Sequence, residues 1–393
     1  MTPACRGAVV ILITTFTLAA CSKHAPTTAR LVAVMPPDGA FGRAPAVLAN
    51  DLDLLTDGSL AVDVVSPAEA GIEVAAVFDL VDGGDIDMAI APPAAFELNG
   101  KQSPIGPLLV SGLPFGFKAH EFLAWYFGAG GEGLVQDIYD RRSANGNVLL
   151  LPLVLTTSEP PGFFIDPVPS DADEFNDSGI TYRINMLGAE VMKTAFPGIT
   201  IVSSPPGVVP VDDLCEGRIH GAELGTLSVY QQLFIDRFSH ENGENIVECG
   251  FRHLYLSGWQ QPMLSNWLLV NKTFLERLPP DEQHAIRTSA MSQLSLSLSS
   301  DLARNMGVVD AFVAAGVTVH SALPSAVLDR LRTATVSVIE RNSASDSDFK
   351  LIVESMREFA IRNHTGLLYD GIAPDQRFNQ MPGWSAAYDI RSD

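Results

Sequence analysis

Apolar and polar positions follow two rhythms along this chain. Residues 30–35 (Arg-Leu-Val-Ala-Val-Met) form an apolar run that predicts a strand, and Phe41, Ala44, Val47, Leu48, Leu52 and Leu55 recur at helical spacing up to Gly58. Leu60–Val65 predicts a second strand, residues 72–81 a short helix ended by Gly83-Gly84, and Ile86–Ala91 a third strand. Strand, helix, strand, helix, strand with short links is the pattern of a parallel α/β unit with right-handed crossovers. After a helical region at 118–141 and a strand near 147–154 the pattern restarts. Strands are predicted at 181–185, 199–202 and 218–223, with helices near 189–194 and 211–216. Between the two units, Ser158-Glu159-Pro160-Pro161-Gly162 is a stiff segment suited to an interdomain crossing.

A long helix is predicted over 281–315. Ile286, Ala290, Leu294, Leu298, Leu302, Met306 and Val309 recur every three or four residues, Pro279-Pro280 precede them and Gly316 follows. At 1.5 Å per residue such a helix reaches about 52 Å, so it is expected to run across both units. Gly307 lies inside it and costs about 1 kcal/mol relative to alanine, which makes a bend or break there an expectation. Helices near 323–341 and 347–362 close the chain before an irregular tail.

The first twenty residues follow another logic. Arg6 gives a positive start, Gly7 to Ala20 is apolar or small, and Leu18-Ala19-Ala20-Cys21 matches a bacterial lipobox. The expectation is a signal peptide over 1–20, cleavage before Cys21, lipid on that cysteine and a polar tether over 21–29. The alternative is an ordinary signal cut nearby, with Cys21 incidental. Cys5 leaves with the signal, so Cys215 and Cys249 are the mature pair, in a compartment where disulfides persist. We expect them to bond.

Composition narrows the function classes. A 47% hydrophobic content over 393 residues supports folded domains with sizeable cores. The formal charge of −21 repels a phosphate backbone, so nucleic acid is not an expected partner. The same field gives an anionic ligand no long-range help, so an anion site needs a sheltered positive group. No Gly-x-Ser-x-Gly elbow and no His-Glu-x-x-His pattern occurs, and the chain is not expected to be an enzyme.

With these elements in hand, the chain resembles the extracytoplasmic solute receptors of TRAP transporters, the DctP family, and looks closest to the 2-oxo acid and monocarboxylate binders. The resemblance rests on residues 53–65, with Asp57-Gly58-Ser59 at the turn, on Gly83-Gly84-Asp85-Ile86-Asp87-Met88 and on Leu113-Pro114-Phe115. It continues through 178–184, 211–223, Gly258-Trp259, Asn271-Lys272 with Leu278-Pro279, and 347–359. Three departures stand out: His220 where the family has aspartate, Leu224 where keto-acid binders have tryptophan, and Thr156-Thr157-Ser158 before the crossing.

The resemblance implies a periplasmic-binding-protein-like α/β fold, with a ligand cleft between two lobes and a long helix spanning both. Residues 30–155 are expected in lobe 1, 156–245 in lobe 2 and 246–280 back in lobe 1. The spanning helix at 281–315 and closing helices and tail at 316–393 complete the chain. It implies capture of a small organic acid and its delivery to the small and large TRAP membrane subunits for ion-gradient-driven import. Arg183 would grip the ligand carboxylate, since a planar fork suits bidentate recognition. Glu223 would help hold a cation, Na+ or Ca2+, bound with the ligand; no cofactor is otherwise required. Trp259, Phe96 and Tyr230 are candidates to pack on the ligand, though each is more often a core residue. His220 reads as a satisfied structural histidine. Alternatives are a lipid-anchored sensor or scaffold of the same fold, and a lipid-anchored hydrolase. The lipobox yields a direct prediction. Mass spectrometry of the mature N-terminus should find lipid on Cys21, and Cys21→Ser should free the protein from membranes or leave it unprocessed. An unlipidated mature terminus contradicts this.

Overall fold

The structure, a computed structural model, describes residues 26–35, 41–96, 98, 101, 103–204, 210–230 and 249–370. Cys21 and the signal segment lie outside the described residues. The described strands form two sheets, one per lobe.

The first sheet contains β1 (Thr27–Ala33), β2 (Leu60–Val65), β3 (Met88–Ala91), β4 (Val148–Leu155) and β10 (Ser265–Asn271), in the order β2-β1-β3-β10-β4. β1, β2 and β3 are parallel, as the alternation with helices predicted. β10 enters between β3 and β4 and is antiparallel to both. All seven of its residues are buried, so it shows no inside–outside alternation, and the sequence reading did not find it. Two apolar clusters cover the faces of this sheet. Trp125, Tyr126, Trp267 and Phe349 belong to one, and Leu48, Leu52, Leu268 and Ile286 to the other.

The second sheet contains β5 (Gly162–Phe164), β6 (Thr181–Arg183), β7 (Thr200–Val202), β8 (Gly221–Ala222), β9 (His253–Tyr255) and β11 (Thr318–His320), in the order β11-β9-β5-β8-β6-β7. β6, β7 and β8 are parallel, whereas β5 runs antiparallel to β8 and β9. Three expected boundaries change. Thr27–Ala29 pair with β2 and belong to the sheet, not to a tether. β9 keeps the chain in lobe 2 to Tyr255, so the return to lobe 1 begins after it and not at 246. β11, within the stretch expected to hold only closing helices, completes the second sheet. The structure also bonds Cys215 to Cys249, with Cα atoms 4.2 Å apart, closing a loop worth about 4 kcal/mol of unfolded-state entropy.

Two segments cross between the lobes side by side. Thr156 N–H donates to Leu264 O at 2.9 Å and Glu159 N–H to Gln261 O at 2.9 Å. These bonds continue the register that pairs Leu155 with Ser265, so Glu159 stands opposite Gln261. The third connection is the helix Pro280–Ala314, which runs unbroken through Gly307. Its first half buries Ile286 and Ala290 against lobe 1, and its last turns bury Val308 and Phe312 in lobe 2. Between them the expected apolar stripe fails. Leu302 is 57% exposed and Asp301 only 3%, because this stretch faces the crossing backbone, which offers donors and not hydrocarbon. Among the described residues, no helix is long and apolar enough to cross a membrane.

Candidate ligand-binding site

Arg183 is the last residue of β6, Glu223 follows β8, and Ser204 lies two residues beyond β7. All three therefore stand at the carboxyl edge of the parallel part of the second sheet, where open α/β sheets bind ligands. The parallel register fixes the first two: Arg183 pairs with Ala222, and Glu223 N–H donates to Arg183 O at 2.9 Å.

Arg183 is 5% exposed, and its guanidinium is engaged on two sides. Nη1 donates to Glu223 Oε2 at 3.0 Å and to the Glu223 carbonyl. Nε and Nη2 donate to a single oxygen, Ser204 Oγ, at 3.0 and 2.9 Å. The Nε/Nη2 edge is the one that binds carboxylates with two parallel hydrogen bonds, and here it meets one hydroxyl.

The crossing segment adds a residue that the sequence reading missed. Glu159 is 2% exposed, and its carboxyl lies in the field of Glu223. Burial, followed by the interaction with the Glu223 carboxyl, pushes the Glu159 carboxyl well above the ordinary carboxylate range, although Arg183 pulls the other way. Two buried carboxyls therefore lie in the field of one guanidinium, which pairs with Glu223. Two glycines permit the approach. A Cβ on Gly162, at φ +107°, would fall 1.8 Å from Ala222 O, beside Glu223. A Cβ on Gly258 would fall 1.8 Å from Glu159 O. Gln260 Nε2 then donates to Glu159 O and Pro160 O at 3.2 and 2.9 Å, fixing the crossing backbone.

Asp301 clasps this arrangement from the spanning helix. Its Oδ2 accepts from Thr157 N–H at 3.0 Å and Thr157 Oγ1 at 2.6 Å, and its Oδ1 accepts from Ser228 Oγ at 2.9 Å. Asn305, one turn on, donates to Thr157 Oγ1 and accepts from Ser228 N–H. One face of one helix thus holds both the crossing that carries Glu159 and the loop that follows Glu223. Asp301 was legible in principle: it falls seven residues after Leu294, an acid on an apolar face.

The remaining candidates separate. Tyr230 lies in the lobe 2 core against Phe163, but its hydroxyl accepts Leu224 N–H at 2.9 Å and so positions the segment after Glu223. Trp259 lies on the returning crossing, 5.7 Å from Phe115, with its indole N–H buried and unpartnered. Phe96 stacks on Phe78 at 5.2 Å in the lobe 1 core and packs near Tyr139; the structure gathers it with these rings and not around Arg183. His220 Nδ1 accepts Thr181 N–H at 3.1 Å, a structural role as expected. Among the described residues, no three His, Cys, Asp or Glu side chains gather as a metal cluster.

No family model matches the chain. A curated monocarboxylate 2-oxoacid-binding periplasmic protein of Nostoc sp. is 24% identical over 283 residues, 72% of this chain and 70% of the relative. A TRAP periplasmic solute-binding protein from Pseudoalteromonas atlantica T6c, solved with sodium and pyruvate, superposes with TM-score 0.72 at 20% identity, covering 88% of this chain and 97% of that one. One from Colwellia psychrerythraea, solved with calcium and pyruvate, gives 0.72 at 19% over the same shares. The fold is that of the TRAP solute-binding proteins, as the motifs led us to expect.

The buried pair makes stability depend on pH in a defined direction. A carboxyl that titrates higher when folded favours the folded state below the unfolded value, near 4.5, and loses that contribution as pH rises through the folded value. Glu159→Gln cannot ionise, so in metal-free buffer it should match wild type near about pH 4 and gain in Tm over it toward about pH 8. A Tm difference that stays flat or shrinks toward high pH contradicts the upward shift at Glu159.

Proposed function

We propose that this protein is a periplasmic solute receptor that captures a small organic acid between its lobes and hands it to TRAP-type membrane subunits. The observation that carries the reading is the Arg183 guanidinium, buried at a sheet's carboxyl edge, with its bidentate edge spanned by one serine hydroxyl. A carboxylate presents two oxygens to the same two nitrogens and is the better partner. Ser204 holds the fork in its planar orientation until ligand arrives, which lowers the cost of binding. The relatives support the class of ligand: the Nostoc protein is a monocarboxylate 2-oxoacid binder, and the solved structures hold pyruvate.

An anion entering beside Glu159 and Glu223 meets repulsion unless a proton or a cation intervenes. The two solved structures contain sodium or calcium with their acid. Here Glu159 and Glu223 fit such an ion, because once Glu159 gives up its proton two buried carboxylates face one guanidinium and are short of positive charge. The cation would supply that charge and join ligand to protein. The chain's own residues do the remaining work. Arg183 orients the carboxylate, Tyr230 and Asp301 hold the loop carrying Glu223, and the paired crossings exclude water as the lobes close. Strengthened by that exclusion, the ion pairs hold the closed form for presentation to the membrane. Lipidation at Cys21 would keep the receptor beside its partners, following the lipobox.

Calorimetry with pyruvate, lactate and succinate tests the reading. Arg183→Lys is the cleaner variant, since it leaves Glu223 a counter-charge while removing the second nitrogen from the carboxylate edge. It should weaken whichever acid wild type binds by about tenfold or more. Arg183→Ala should cost about 30-fold to several thousand-fold, the range for truncating one partner of a buried charge pair. Wild-type affinity in Arg183→Lys contradicts carboxylate recognition through this fork.

A further inference from the structure

Away from Arg183, two side chains on the margin of the second sheet are arranged as a chelate. His253 Nδ1 and His320 Nε2 face each other at 3.1 Å. We infer that these two histidines bind a transition-metal cation of the zinc, nickel or copper type. The site is separate from the interlobe cluster and does not depend on the proposed function.

The strands dictate the pairing. β11 is an edge strand that runs parallel to β9, with Thr318 opposite His253 and His320 opposite Tyr255. His253 and Tyr255 are two residues apart on β9, so both histidines project from one face of the sheet. Tyr255 supplies the floor. Its ring stacks on the His320 ring at 4.4 Å and 10°, and its hydroxyl accepts Val168 N–H at 2.8 Å. The His320 ring is thereby oriented before any ion arrives, which a metal site requires of its supporting residues. Both histidines are half-buried and so remain within reach of solvent.

The separation of the two nitrogens selects the chemistry. With metal–nitrogen bonds of about 2.0–2.1 Å, two nitrogens on one ion stand about 2.9 Å apart at a right angle and about 3.3 Å apart in a tetrahedron. The 3.1 Å between these rings lies inside that interval. In the pair as it stands, one ring donates its N–H and the other accepts. An ion takes both lone pairs once the donor ring carries its proton on its other nitrogen, a tautomer shift with no net loss of a proton. Imidazole nitrogen suits zinc, nickel and copper, whereas calcium and magnesium take oxygen. The exposed Asp166 carboxylate, near enough to act on the His253 ring through its charge, and water would complete the shell. Such an ion ties the edge strand β11, which follows the spanning helix directly, to its neighbour in the sheet.

The test uses the full chain without an affinity tag, stripped with chelator and held near about pH 7.5, where histidine is ordinarily neutral. Zinc is the probe, read by calorimetry and thermal unfolding. Wild type should bind a single zinc with Kd of about 10 µM or tighter and gain in Tm, and excess calcium should not compete. His253→Gln and His320→Gln should each weaken zinc binding by about tenfold or more. Copper(II) paramagnetic resonance on wild type, which needs no variant, should show two imidazole nitrogens on the ion. Zinc binding weaker than about 100 µM overturns the inference. So does a copper spectrum with fewer than two imidazole nitrogens, or a folded His320→Gln protein that keeps wild-type zinc affinity.

Discussion

Two glutamates and one arginine sealed from water at the junction of two sheets set the terms for the rest of this molecule. Burying Arg183 with Glu223 is tolerable only because the pair is hydrogen-bonded on every side that is shown: to backbone, to carboxylate and to Ser204. Adding Glu159 tips the balance: burial and the charge of Glu223 push its carboxyl well above the ordinary carboxylate range. Whenever Glu159 ionises, the group is one positive partner short. That shortage is a cost to the free protein and a reason for it to bind something.

The fold spends its most specific features on maintaining this cluster. Gly162 and Gly258 let backbones approach where any side chain would intrude. The crossings carry the register of β4 and β10 out of the first sheet and deliver Glu159 opposite Gln261. Above them, Asp301 and Asn305 tie crossing and loop to a helix whose ends are anchored in different lobes. Relative motion of the lobes must work against these bonds, so the clasp and the charge cluster are mechanically one unit. An ion and acid that repair the charge deficit therefore bear directly on lobe closure.

Much of this was legible in the residues. The parallel unit β1-β2-β3 and the spanning helix followed from periodicity, and Arg183 and Glu223 from motifs whose order survived low identity. The failures share a cause. β10 is buried on both faces and so has no alternation to read. Glu159 looked like part of a stiff Pro-Pro linker because its neighbours describe the backbone, not the side chain's surroundings. Leu302 fitted the helical stripe, but the helix turns a polar face inward where it passes donor-rich backbone. Pairings between residues 144 apart in sequence, such as Thr157 with Asp301, leave no local trace. Phe96 was a residue type chosen without a location, and the lobe 1 core claimed it.

The most direct test of the account is native mass spectrometry of the protein as first purified from its host. The account predicts a small organic acid carried at unit stoichiometry, released on denaturation and absent from Arg183→Lys prepared in parallel. Wild-type protein that carries no acid, and takes up none after incubation with small mono- and dicarboxylates in the presence of calcium or sodium, would contradict it.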